Sequence, residues 1–133
     1  RFGMYLGVMD PYPSLVGGTF AFNATDFLRG GVSYGIANLS GVRLKTVALG
    51  VTALVPKWHV TPSLGLSWAN VTVTGTPAGT EDVFGFRESE KHFYATLGLE
   101  LQTVIGFYGS AGLHYSFDTG VGLLPYLKVG WFI

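Results

Sequence analysis

Read two residues at a time, most of this chain sorts into an apolar set and a small or polar set. Successive side chains of a β-strand point to opposite faces, so the alternation predicts strands with one apolar and one polar side. Eight such segments can be drawn. The first, Phe2 to Met9, sets Phe2, Met4, Leu6 and Val8 against Gly3, Tyr5 and Gly7, and ends at Pro11-Tyr12-Pro13. The second, Leu15 to Asn23, opposes Val16, Phe20 and Phe22 to Gly17, Thr19 and Ala21. After a turn at Asn23-Ala24-Thr25-Asp26, the third runs from Leu28 to Ile36, with Arg29, Gly31, Ser33 and Gly35 on its small or polar side. Asn38 to Gly41 turns the chain again, and the fourth carries Val47, Leu49, Val51, Ala53 and Val55 against Thr46, Ala48, Gly50 and Thr52.

The fifth segment, Trp58 to about Val73, alternates cleanly, although Pro62 within it suggests a bulge. Gly75 to Glu90 is the longest interruption and holds Glu81, Asp82, Phe84, Phe86, Arg87 and Glu88. The sixth strand then sets Phe93, Ala95, Leu97, Leu99 and Leu101 against His92, Tyr94, Thr96, Gly98, Glu100 and Gln102. In the seventh, Phe107, Ala111, Leu113, Tyr115 and Phe117 oppose Tyr108, Ser110, Gly112, His114 and Ser116. The eighth, Leu123 to Ile133, puts Tyr126, Lys128, Gly130 and Phe132 on its second face.

Composition decides which face is outside. Only 12% of the 133 residues are charged and 48% are hydrophobic, too few charges to coat a soluble barrel whose apolar faces point inward. The apolar face suits lipid, and the Gly, Ser, Thr and Tyr face suits a narrow hydrogen-bonded interior. No run of apolar residues reaches the ~20 needed for a spanning helix. Outward aromatics fall near strand ends, with Phe2, Phe22, Trp58, Phe107 and Trp131 toward one rim and Tyr34, Trp68, Phe93, Tyr115 and Phe117 toward the other. Two interfacial girdles of this kind belong to membrane barrels. The expected fold is therefore all-β: an eight-stranded antiparallel up-and-down transmembrane β-barrel occupying residues 1–133 as one domain. With a periplasmic N-terminus, the short connections near residues 24–26, 56–57 and 103–105 are periplasmic and the 75–90 segment is extracellular.

The pattern as a whole, ending in the alternating aromatic-rich Tyr126-Leu127-Lys128-Val129-Gly130-Trp131-Phe132-Ile133, resembles the OmpA/OmpX-type family of small outer-membrane barrels. That resemblance implies a bacterial outer-membrane location and recognition of the last strand by the insertion machinery, with Ile133 standing where the family usually has Phe. The start, Arg1-Phe2-Gly3-Met4-Tyr5, lacks the basic segment and apolar core of a signal peptide.

Candidate chemistry lies mostly on the inward face. Arg29, Glu100 and Lys128 are predicted to form one ion cluster, with Glu100 pairing with Arg29 or Lys128, because an isolated charge in a narrow barrel is costly. Tyr5, His92, Tyr94, Tyr108, His114 and Tyr126 are expected to fill the remaining lumen. His114-Tyr115-Ser116 resembles the His-x-Ser of the barrel-shaped lipid A deacylases of the PagL type, but Phe117 stands at that family's Asn and no Asp or Glu follows Asp118. Catalysis is accordingly not expected. His59, His92 and His114 share the inward parity at different heights, so no metal is expected either, nor any cofactor. Eight basic and eight acidic residues cancel, and the scattered cations exclude a nucleic-acid footprint.

An eight-stranded barrel is just wide enough for its interior to be filled by side chains. The expected role is a structural, anchoring or surface-interaction barrel. The alternative is a narrow channel for ions or small solutes, and a lipid-modifying enzyme comes third. Expected partners are outer-membrane lipid or lipopolysaccharide, which Arg43 and Lys45 can meet at the rim, and a protein bound through the extracellular loops or within a larger envelope assembly.

Overall fold

A computed structural model of the chain describes residues 1–11, 14–39, 42–55, 60–75, 86–117 and 123–133, with side chains described at all of these except 39, 75 and 86–88. Eight strands follow in order: β1 (Phe2–Val8), β2 (Val16–Asn23), β3 (Leu28–Leu39), β4 (Val42–Leu54), β5 (Val60–Gly75), β6 (Phe86–Gln102), β7 (Phe107–Ser116) and β8 (Leu123–Phe132). Each pairs antiparallel with its neighbours, and β8 closes on β1 to complete a barrel. Closure pairs every strand on both sides, which removes the free edges of an open sheet. The chain ends meet at one rim, where Phe2 and Ile133 exchange backbone hydrogen bonds of 3.1 and 2.8 Å. That rim is called the terminal end below, and the opposite rim the distal end.

The strands are strongly sheared. Stepping across the pairs Phe2↔Phe22, Phe22↔Gly30, Gly30↔Val51, Val51↔Leu66, Leu66↔Ala95, Ala95↔Tyr115 and Tyr115↔Leu123 leads from the terminal end of β1 to the distal end of β8. Such stagger and a strand tilt are what closing a small barrel requires. Between β6 and β7 the chain turns through Gly106, whose φ of 98° is a left-handed value. A Cβ there would collide with the Phe132 carbonyl and the Trp131 ring, so only glycine fits.

Two expectations drawn from the sequence need correction. The β5–β6 ladder runs unbroken from Val60↔Leu101 to Gly75↔Phe86, so Phe86, Arg87, Glu88, Ser89 and Glu90 belong to β6 rather than to a loop. Glu81, Asp82 and Phe84 lie outside the described residues. Pro62 makes no bulge: it pairs in register with Leu99, and its carbonyl accepts from Val55 N at 3.4 Å. Its missing N–H faces the same side, where β4 is ending, so the interrupted ladder loses little.

The polarity of the wall reverses part-way along β4 and β5 and changes on the outward side of β6. Toward the terminal end, the outward residues Val47, Leu49, Val51, Leu64, Leu66, Trp68, Phe93, Leu97 and Leu99 are apolar and exposed, while the inward ones are small or polar. Beyond Val47 on β4, Trp68 on β5 and Phe93 on β6, the outward positions become Lys45, Arg43, Asn70, Thr72, Thr74, Lys91 and Ser89, and the inward ones on β3 to β5 become Ala37, Leu44, Val42, Val71 and Val73, while β6 keeps His92 and Glu90 inward. Ala37 and Val71 are buried. β4 and β5 thus present apolar residues outward over one stretch and inward over the next, and β6 turns polar on its outward side. Such a reversal fits a sheet passing from hydrocarbon into water.

Candidate functional site

The lumen is the one place where charged side chains are enclosed together among the described residues, and it holds two clusters. The lower one lies toward the terminal end. Arg29, 3% exposed, donates from Nη1 to Glu100 Oε2 at 2.7 Å and from Nε to Asn23 Oδ1 at 2.9 Å. The other Glu100 oxygen accepts from the Tyr108 hydroxyl at 2.9 Å. Rings of Tyr108 and Phe132 cover the guanidinium at 5.1 and 4.6 Å, and Tyr5 stacks on Tyr108 with centroids 5.0 Å apart. The ion pair is thereby hydrogen-bonded on both partners and packed against π faces, the condition under which buried charges are tolerated.

The upper cluster depends on the turn between β1 and β2. Met9 adopts a φ of 58°, and Asp10, 4% exposed, enters the barrel mouth. One Asp10 oxygen lies 3.2 Å from Lys128 Nζ and 3.2 Å from His114 Nε2. His114 Nδ1 shares a 2.8 Å hydrogen bond with Thr96 Oγ1. The imidazole stacks on Tyr126 at 4.5 Å and meets Tyr94 edge-on at 5.1 Å, while Lys128 sits over the rings of Tyr126 and Tyr5. Ser14 donates its hydroxyl to the Pro11 carbonyl, and a Cβ on Gly35 would strike Ser14. A bare backbone on β3 therefore lets the turn seat inside the rim. Gly98 and Gly112 likewise leave the space that the Tyr126 side chain occupies.

Asp10 lies in that turn, outside β1 and β2. Burial works against its charge, but the Lys128 ammonium, with His114 beside it, outweighs this and holds the carboxyl below the usual carboxylate range.

Two spaces flank the lower pair. A polar cavity of about 30 Å³ lies inside the barrel, lined by both clusters, including Asp10, Arg29, Thr96, Glu100 and Lys128. That is room for a couple of water molecules. A wider vestibule of about 600 Å³ opens at the terminal end, with Asn23, Asp26, Thr61 and Gln102 on its walls and Arg29 and Glu100 at its inner boundary.

The residues singled out from sequence fall as follows. Tyr5, His92, Tyr94, Tyr108, His114 and Tyr126 are all buried. His92 Nε2 lies 3.3 Å from Glu90 Oε2. Trp68, Phe93, Phe107, Tyr115 and Trp131 point outward and are exposed, whereas Trp58 and His59 lie outside the described residues. Arg29, Glu100 and Lys128 do not form one cluster: Glu100 pairs with Arg29, and Lys128 goes to Asp10 instead. The residue that sequence reasoning missed is Asp10. Its signal was the imbalance of two inward cations against one inward carboxylate. The His-x-Ser pair is not assembled either, since His114 engages Thr96 and Asp10 while the buried Ser116 hydroxyl has no hydrogen-bond partner among the described residues. Strand neighbours two apart share a face, but that alone does not join them.

No protein-family model matches the chain, and no curated protein sequence matches it. A search of solved structures does find a likeness, to the crystal structure of the N-terminal β-barrel domain of Pseudomonas aeruginosa OprF, at 16% sequence identity and covering 98% of this chain and 93% of that one. With a TM-score of 0.77, the chain has the fold of that domain: a closed, all-antiparallel, eight-stranded barrel, the fold that the sequence resemblance implied.

Proposed function

We propose that the chain is a transmembrane barrel of a bacterial outer membrane and acts as a structural anchor and surface-interaction protein, without catalysing a reaction. The observation that carries this reading is the wall's polarity: an exposed apolar belt bounded by aromatic residues, reversing to polar-out and apolar-in on β4 and β5. A soluble barrel gains nothing from such a belt and would expose it to self-association. The OprF domain's fold supports the same reading. Two enclosed side-chain clusters crossing the lumen favour an anchor over an open pore.

The chain contains no cysteine, so single cysteines report topology directly. Thr72→Cys, beyond the belt, should react with an impermeant maleimide on intact cells. Thr25→Cys, at the terminal end, should react only after the outer membrane is permeabilised. Equal labelling of both on intact cells would overturn the orientation and the anchoring role built on it.

A narrow channel is the second reading, and one observation favours it: the vestibule and the inner cavity share Arg29 and Glu100 as lining residues. Conduction would require that pair to part. In planar bilayers the anchor reading expects no unitary conductance steps from the wild-type chain, and regular steps would favour the channel.

A further inference from the structure

The outward face of β4 to β6 just beyond the apolar belt carries three cations that the anchor reading leaves unused. Arg43 and Lys45 lie two residues apart on one face of β4, and Lys91 stands on β6 in the row Val47↔Asn70↔Lys91. All three are exposed. Strand spacings put the Cα atoms of Lys45 and Lys91 about 12 Å apart, within joint reach of side chains this long. Asn70, Thr72, Thr74 and Ser89 fill the positions between them with hydroxyl and amide groups. Ser89 donates to Asn70 Oδ1 at 2.9 Å, and Lys91 rests over the Trp68 ring at 5.7 Å, which steadies its ammonium.

No carboxylate shares this face among the described residues. Glu90 alternates to the other side and lies beside His92, and neither Arg43 nor Lys45 has an ion-pair partner among the described residues. The rest of the distal rim differs among the described residues: Leu15 just before β2, Val16 at its start, Phe117 just past β7 and Leu123 at the start of β8 are apolar and exposed. A general attraction to a negatively charged leaflet would be served by cations spread around the rim. Here they gather on β4 and β6, on either side of β5, above the apolar row Leu49↔Trp68↔Phe93.

We infer that this patch binds the phosphate-bearing headgroup of an outer-leaflet lipid, with its acyl chains lying along the apolar row below. The inference rests on the transmembrane reading, because only a bilayer sets headgroups at this height. Arg43 supplies a planar fork for phosphate oxygens, the two lysines supply point charges, and the hydroxyl and amide groups donate hydrogen bonds.

The test uses the full chain refolded into phosphatidylcholine nanodiscs, with binding of bisphosphorylated lipid A compared with that of its dephosphorylated form. Wild type should prefer the phosphorylated lipid. The Arg43→Ala/Lys45→Ala/Lys91→Ala variant should bind it about a hundredfold more weakly, the loss expected for three interfacial cations, while Arg1→Ala at the opposite rim should bind as wild type does. The two-lipid comparison needs no variant, so poor folding of the triple substitution cannot shelter the idea. Equal binding of both lipids, wild-type affinity in the triple variant, or displacement by inorganic phosphate at matching concentration would overturn it. Wild-type chain that inserts into phosphatidylcholine yet binds without regard to phosphate would sink this inference alone. Failure to insert at all would sink the transmembrane reading with it.

Discussion

Glu100 shows what a single side chain contributes inside a barrel this narrow. It is 7% exposed and spends one oxygen on Arg29 and the other on Tyr108. Removing it leaves the guanidinium enclosed without its counter-charge, so Glu100→Ala should destabilise the barrel by about 3 kcal/mol or more. The double variant Arg29→Met/Glu100→Leu, which removes both charges and keeps the volume, should recover much of that loss. Urea unfolding in micelles, followed by tryptophan fluorescence, would check both. A loss under about 1 kcal/mol in the single variant would mean that water reaches the pair and shields it.

Asp10 adds a dependence on pH. Its carboxyl is held below the unfolded value of about 3.9, so the folded state takes up the proton less readily than the unfolded one. The stability it contributes is whole above that unfolded value and is lost as the pH falls through the lower folded one. Asp10→Asn should therefore be less stable than wild type at neutral pH, and the gap should close in acid. Parallel urea curves that keep a constant gap down to acid would refute this. Alternation made Arg29, Glu100 and Lys128 legible as lumen residues, because parity assigns a face. It was silent on Asp10, since a residue in a turn has no parity.

At the scale of elements, all eight strands were legible from alternation, but their ends were not. The run Phe86 to Glu90 reads as loop because carboxylates and guanidinium groups are costly in hydrocarbon. A strand that has already left the hydrocarbon carries them freely, and the β5–β6 ladder continues to Gly75↔Phe86. Sequence shows charge but not where the membrane stops. On the proposed transmembrane reading that limit falls on β5 between Trp68 and Asn70, where the outward residues change from apolar to polar, and a pair of substitutions tests it. Leu64, 57% exposed, lies mid-belt, and Leu64→Lys should cost about 2–4 kcal/mol in a bilayer, whereas Thr72→Lys beyond the limit should cost about 0–1 kcal/mol. Equal costs measured by unfolding from lipid vesicles would remove the boundary.

Shear explains why the whole molecule is less legible than its parts. Lys128 stands past the midpoint of β8 toward the terminal end, yet it pairs with Gly7 at the distal end of β1 and so meets Asp10 in the turn just beyond. Position along a strand does not give height in a tilted barrel, and this is why one predicted ion cluster became two. The same tilt fixes how thick a membrane the barrel suits. From Val47 on β4 to Val55 just past its end, the outward apolar run extends about 26 Å along the strand at ~3.3 Å per residue, which a tilt of ~40° reduces to about 20 Å of height. The interfacial aromatics bring the belt toward the ~25 Å typical of outer-membrane barrels, short of the ~30 Å hydrocarbon core of an ordinary bilayer. A belt shorter than the bilayer must thin it, at a cost that grows with each ångström of mismatch. The chain should therefore fold in higher yield into dilauroyl-phosphatidylcholine vesicles than into dioleoyl-phosphatidylcholine vesicles, with yield read as the fraction of unboiled protein whose gel mobility changes on boiling. Moving the limit upward by Asn70→Leu/Lys91→Leu should lengthen the belt on β5 and β6 and narrow the difference between the two lipids. Higher yield in the thicker bilayer would mean that the apolar run on β4 does not mark the span.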